Sequence, residues 1–305
     1  MKTHKLVTTL LAALLALVGF AGNAAADPAT TAATKNDIQK TLGFVPAFFQ
    51  KLPDSLLPGA WEEMKGLQLN PATALDGRTK ELIGLAVAAQ VPCRYCIIAH
   101  TDFAKLNGAG EAELSEAVGM AAVTRHWSTW LNGVQTDETR FRSELTKIIT
   151  NAKQAAMAKR GTPVTIQVVD GASALVEVNS MLGFTPDFIA KFPDSGRAGA
   201  WRQMRDLQLS AKTALSGKTK ELIGLAVAAQ VPCRYCVVAH TEFAKLNGAT
   251  DLEIREAVAM AALTRNFSTL LNGLQVDEGQ FRRDVDRLVR GAKAAAAKRA
   301  VKTVD

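Results

Sequence analysis

The stretch TKELIGLAVAAQVPCRYC at residues 79 to 96 returns without a single change at residues 219 to 236. Identity over so long a run, at an offset of 140, means that one unit has been written twice, and internal repeats are to be read before any local pattern. Working outward, the same offset holds on both sides. LGFVPAFFQKLPD (42 to 54) returns as LGFTPDFIAKFPD (182 to 194), Gly59-Ala60-Trp61 returns as Gly199-Ala200-Trp201, and LNG…FR recurs at 131 to 142 and 271 to 282. Two homologous domains are expected, over residues 27–160 and 161–305. They join near RGTPVTIQVVDG, where β-branched residues between glycines predict a short extended linker.

Inside each repeat the language is helical: Ala, Leu, Glu, Lys and Arg dominate, and apolar residues recur at three and four. The pattern predicts helices near 35–42, 56–68, 78–90, 92–106, 111–130 and 137–159, with counterparts 140 residues later. ELIGLAVAAQ is apolar on every side, which predicts a helix buried within a bundle. Pro92 and Pro232 fit the first position of the next helix, where a missing N–H costs nothing, and Asn107-Gly108 and Asn247-Gly248 supply its stop. The fold class is therefore all-α, a tandem duplication of one helical bundle domain. No βαβ pattern surrounds the C-x-x-C, so its context is not that of thioredoxin.

The first residues join a basic start (Lys2, His4, Lys5) to an apolar run from Leu6 to Phe20 and then to Ala24-Ala25-Ala26. That predicts a secretory signal peptide over residues 1–26, with no membrane span after its removal and export into an oxidising compartment such as a periplasm. The net charge of +7 falls to +5 once Lys2 and Lys5 are gone. Much of this mild surplus lies in AKQAAMAKR and AKAAAAKRA, which read as solvated helix ends. Nucleic-acid binding is not expected, since basic clusters interleaved with aromatics are missing.

All four cysteines lie in the two copies of VPCRYC, and each copy runs on to a histidine. On a helix, Cys93, Cys96 and His100 are separated by three and four residues and share one face. The same holds for Cys233, Cys236 and His240. The cysteines occupy the first turn, where exposed N–H groups and the helix dipole favour a thiolate, the reactive form of a thiol. Glu81 and Glu221 open the preceding apolar helix. They are read either as proton carriers folded back onto the cysteine pair or as residues that complement the helix dipole.

Glu81-x11-Cys93-x2-Cys96-x3-His100, with the apolar lead and the Asn-Gly stop, resembles the core of the AhpD-like alkylhydroperoxidases within the carboxymuconolactone decarboxylase family. Glu221, Cys233, Cys236 and His240 match equally well. The resemblance implies an all-α fold and a thiol-dependent peroxidase that reduces organic hydroperoxides or hydrogen peroxide, with redox-active cysteine pairs in place of any cofactor. It implies Cys96 and Cys236 as peroxidatic thiols, Cys93 and Cys233 as resolving thiols, and the Glu and His residues as a proton relay. The family's well-studied member carries a second histidine just before its peroxidatic cysteine. Here Tyr95 and Tyr235 stand at that place, as secondary candidates. A thiol or protein reductant is expected as partner, and a homo-oligomer as the assembly.

The alternative is a non-enzymatic helical assembly module whose cysteine pairs are structural disulfides, or a metal site made by the cysteine pair, histidine and glutamate. His126 has Asn266 at the equivalent place of the other copy and is read as a packing or surface residue. Trp61, Trp201, Met64, Met204, Trp127 and Trp130 are read as core or interface residues, and Asp54 and Asp194 as helix caps.

Overall fold

The computed structural model describes residues 28–158 and 166–302. The expected signal peptide lies outside the described residues, as do positions 160–165 of the expected linker; of its described remainder, 166–169 belong to no regular element, while Asp170 caps and Gly171 opens the next helix. Among the described residues there are thirteen helices and no strand. The chain divides into two compact units, residues 1–62 and 63–305.

The first unit carries α1 (Pro28–Leu42), a 3-10 turn (Ala47–Lys51) and most of α2 (Leu57–Glu63). Its buried side chains include Ile38, Phe49, Leu57 and Trp61, and the Trp61 indole N–H donates to Asp37 at 2.6 Å. α1 begins seven residues earlier than the periodicity predicts, with a proline at its first position.

The second unit starts in a π turn, Met64–Gln68, and continues through α3 (Gly77–Gln90), α4 (Arg94–Leu106), α5 (Glu111–Gly133) and α6 (Glu138–Met157). The second copy gives α7 (Gly171–Leu182), α8 (Asp187–Ala190), α9 (Asp194–Gln203) and a matching π turn, Met204–Gln208. It closes with α10 (Gly217–Gln230), α11 (Arg234–Leu246), α12 (Asp251–Gly273) and α13 (Glu278–Lys302). The predicted buried helices are α3 and α10: every residue from Lys80 to Ala88 and from Lys220 to Ala228 is buried. Lys80 survives there because its ammonium donates to Leu67 O at 3.0 Å, Asn70 O at 2.7 Å and Thr73 Oγ1 at 2.9 Å. Burial still pushes its pKa below the ordinary lysine value.

The two copies are interleaved. α3 and α10 pack on each other, α5 packs on α10 and α12 on α3, and the last helix of each copy lies on the C-x-x-C helix of the other, α13 on α4 and α6 on α11. Charged clamps cross with them. Both oxygens of Glu256 accept the backbone N–H groups of Ala74 and Leu75 at 2.8 Å, and Glu116 does the same for Ala214 and Leu215 at 2.8 and 2.7 Å.

Two local readings need correction. Pro92 and Pro232 do not open α4 and α11. They lie in the turn before them, because Cys93 and Cys233 take the N-cap place with their sulfurs facing the N–H of Cys96 and Cys236. Asp194 does not cap α9 either: Pro193 holds that position, and the Asp194 carboxylate pairs with Arg197 at 2.7 Å. The Asp54 carboxylate reaches Lys35 at 3.6 Å.

Candidate redox site

The site begins where α3 ends. The N–H of Val91 closes on Val87 O and that of Cys93 on Ala88 O, both at 3.0 Å, so the chain reverses within the Val91-Pro92 turn and α4 runs back along α3. Cys93 and Cys96 are joined as a disulfide across the first turn of α4, with Cα atoms 5.3 Å apart, and Cys233 and Cys236 repeat this in α11. The N–H of Cys96 points at Cys93 Sγ at 3.3 Å, as does that of Cys236 at Cys233. Cys93 and Cys233 are fully buried, while Cys96 and Cys236 each keep 4 % exposure.

The fold-back brings Glu81 to His100. Its Oε2 lies 2.6 Å from the Nδ1 of the ring, and Glu221 and His240 repeat the distance. All four side chains are buried. The π turn supplies a second partner, since Gln68 donates to Glu81 at 2.9 Å and Gln208 to Glu221 at 3.1 Å. The N-cap of α3 is Asp76 and Glu81 is the fifth residue of the helix, beyond its first turn, so its partner is His100 rather than the helix end. Gly84 and Gly224 explain an oddity of the apolar helix, a mid-helix glycine that costs about 1 kcal/mol relative to alanine. A Cβ at either would strike the imidazole of His100 or His240.

The sequence reading missed what lies beyond the ring. Nε2 of His100 faces Thr264 Oγ1 at 3.3 Å, and Nε2 of His240 faces Thr124 Oγ1 at 3.3 Å, so each histidine is met by the other copy. Thr264, Ser268 and Asn272 form one stripe of α12. The Asn272 amide donates to Ser268 O at 2.7 Å and lies 3.5 Å from Cys93 Sγ. A signal was present: polar residues at i, i+4 and i+8 on an otherwise apolar face, in both TRHWSTWLN and TRNFSTLLN. Tyr95 and Tyr235 are committed elsewhere. Their hydroxyls donate to Val276 O and Thr136 O of the opposite copy, both at 2.6 Å, and their rings meet Phe281 and Phe141 edge-on.

At the second centre a cavity of about 330 Å³ opens beside the disulfide. Cys236, His240 and Glu221 line it together with Trp127, Phe141 and Phe243. His126 meets Trp127 edge-on and Phe192 at a tilt, its Nε2 is buried without a hydrogen-bond partner, and burial holds its pKa below the usual histidine value. Among the described residues no group of three or more His, Cys, Asp or Glu side chains is placed to hold a metal ion, and no helix is long and apolar enough to cross a membrane.

Comparison with known proteins adds the lineage. The model of the carboxymuconolactone decarboxylase family matches residues 56–136 and 198–278, together just over half of the chain. The chain belongs to the carboxymuconolactone decarboxylase family. Both family segments hold one glutamate, one cysteine pair and one histidine of the site. A curated relative, uncharacterized protein 4 in the cox locus of Paracoccus denitrificans, is 38 % identical over 84 residues, which are 26 % of this chain and 76 % of that protein. A crystal structure of a candidate gamma-carboxymuconolactone decarboxylase subunit from Burkholderia xenovorans LB400 superposes with a TM-score of 0.50 at 15 % identity, covering 90 % of this chain and 98 % of that one. That likeness is one of fold.

Proposed function

We propose that the chain is a thiol-dependent peroxidase with two redox centres, each using its cysteine pair to reduce organic hydroperoxides or hydrogen peroxide. The observation that carries this reading is the shared wall of the cavity: Cys236, His240 and Glu221 line one cavity, while Cys233 is fully buried. In the reduced protein the thiolate of Cys236 attacks the distal peroxide oxygen and the O–O bond breaks. The alcohol or water leaves with a proton drawn through His240, and the sulfur becomes a sulfenic acid. The Cys233 thiol then displaces water from it, closing the disulfide. Two electrons and two protons from a dithiol or protein reductant reopen the pair. Cys93, Cys96, His100 and Glu81 run the same cycle at the other centre.

Reductant attack on the more exposed sulfur, Cys96 or Cys236, expels its partner as thiolate. That anion leaves toward an amide N–H at 3.3 Å, and a better-stabilised leaving thiolate departs faster. With the leader of residues 1–26, the reading includes an exported enzyme whose donor works in an oxidising compartment.

The test is a thiol count by alkylation and intact mass on reduced protein spanning residues 27–305, before and seconds after a slight excess of organic hydroperoxide. Four thiols should vanish as two disulfides, and a Cys96→Ser, Cys236→Ser double variant should stop consuming peroxide. Thiols that persist would favour structural disulfides in an assembly module.

A further inference from the structure

We propose that Thr264 and Thr124 are positioning residues that set the protonation geometry of the opposite copy's histidine, so that each redox centre is completed across the repeat. The inference rests on the peroxidase reading for its kinetic consequence, but its structural part does not. In each centre Nδ1 is committed to a carboxylate oxygen at 2.6 Å. Nε2 is therefore the only ring atom at which a proton can arrive or leave, and a threonine hydroxyl stands 3.3 Å from it. A hydroxyl is both donor and acceptor. With Nε2 bare it donates to the nitrogen, and once Nε2 has taken a proton it accepts from the N–H, so the ring keeps a partner in both states without moving.

Burial makes the partner matter. Thr264 and Thr124 are 2 % exposed and the two histidines 6 and 5 % exposed, so a lost hydroxyl takes a hydrogen-bond partner from a buried ring nitrogen. The arrangement occurs twice with the same distances, in helices 140 residues apart, and each time the threonine comes from the copy that does not own the histidine. Asn272 strengthens the case at the first centre, since the stripe that holds the histidine also reaches Cys93 Sγ.

The test uses two single-centre proteins of full length. One carries Cys233→Ser and Cys236→Ser, leaving the Cys93 and Cys96 centre. The other carries Cys93→Ser and Cys96→Ser. In the first, Thr264→Val should slow peroxide-driven thiol loss by about three- to tenfold, the worth of one hydrogen bond, and displace its pH profile. Thr264→Ser should restore both. Crossed placement gives the sharper signature: Thr264→Val acts on the centre of Cys93 and Cys96, and Thr124→Val on the centre of Cys233 and Cys236. Equal slowing of both centres by either valine variant would overturn the proposal, as would an unchanged rate and profile.

A second readout needs no peroxide. In reduced protein labelled with ¹⁵N-histidine, His100 in its neutral form should show a protonated Nδ1 and a hydrogen-bonded, unprotonated Nε2, and Thr264→Val should remove the hydrogen-bond shift of Nε2 alone. An Nε2 resonance indifferent to the valine would also overturn the proposal. If neither single-centre protein consumes peroxide while this resonance responds as stated, the redox reading falls and the positioning role stands.

Discussion

At the scale of single residues, the site depends on what is left out as much as on what is present. Gly84 is one atom short of a clash with the ring it faces. Gly84→Ala should therefore gain nothing from alanine's better helix propensity of about 1 kcal/mol. It should push His100 off Glu81 and slow the Cys93 and Cys96 centre by tenfold or more; single-turnover rates and thermal melts checked side by side decide it. His126 gives a pH prediction. Its pKa is depressed from the ordinary 6.5 by burial, so between the folded and unfolded values the unfolded chain binds the extra proton. Stability is full above about pH 6.5 and falls as the pH drops through that value. His126→Asn, which copies Asn266 of the other repeat, should flatten this part of a denaturation midpoint series from pH 7.5 to 5.5. The cysteines, glutamates and histidines were legible because their chemistry is rare and their spacing is helical. The threonines were not, since a hydroxyl on an apolar face looks like packing until its partner's helix is placed.

At the scale of elements, helices were legible and their neighbours were not. Periodicity shows that ELIGLAVAAQ is buried on all sides, and the fold agrees, with Leu82, Ile83 and Leu85 to Ala88 at no more than 3 % exposure. It does not show that α3 packs on α12 of the other copy as well as on α5 of its own, because α5 and α12 carry the same pattern in the two copies. Side-by-side and interleaved packings therefore satisfy one sequence equally. The π turns were read as plain helix, since a single underwound turn of five residues is too short to break the apolar spacing of the helix it ends. The clamp of Glu256 on two backbone N–H groups is the measurable trace of interleaving. Glu256→Ala orphans both donors and should cost about 2 kcal/mol or more, read as a lowered denaturant midpoint at unchanged slope. A loss below about 0.5 kcal/mol would mean that water serves those N–H groups as well.

At the scale of the whole molecule, the sequence repeat and the unit of cooperativity are different things. Helices of both copies share one buried interior within residues 63–305. Unfolding of this part should be a single transition, with probes at Cys93 and at Cys233 losing protection together in calorimetry and hydrogen exchange. Separate melting of the two copies would contradict the packing described.

The crossed histidine and threonine contacts also bear on how such a chain can change. After a duplication one copy is ordinarily free to decay while the other keeps working. Here a lesion at Thr264 removes a contact of His100 in the first copy, and a lesion at Thr124 one of His240 in the second. Neither copy is a spare, and each inherits the other's faults.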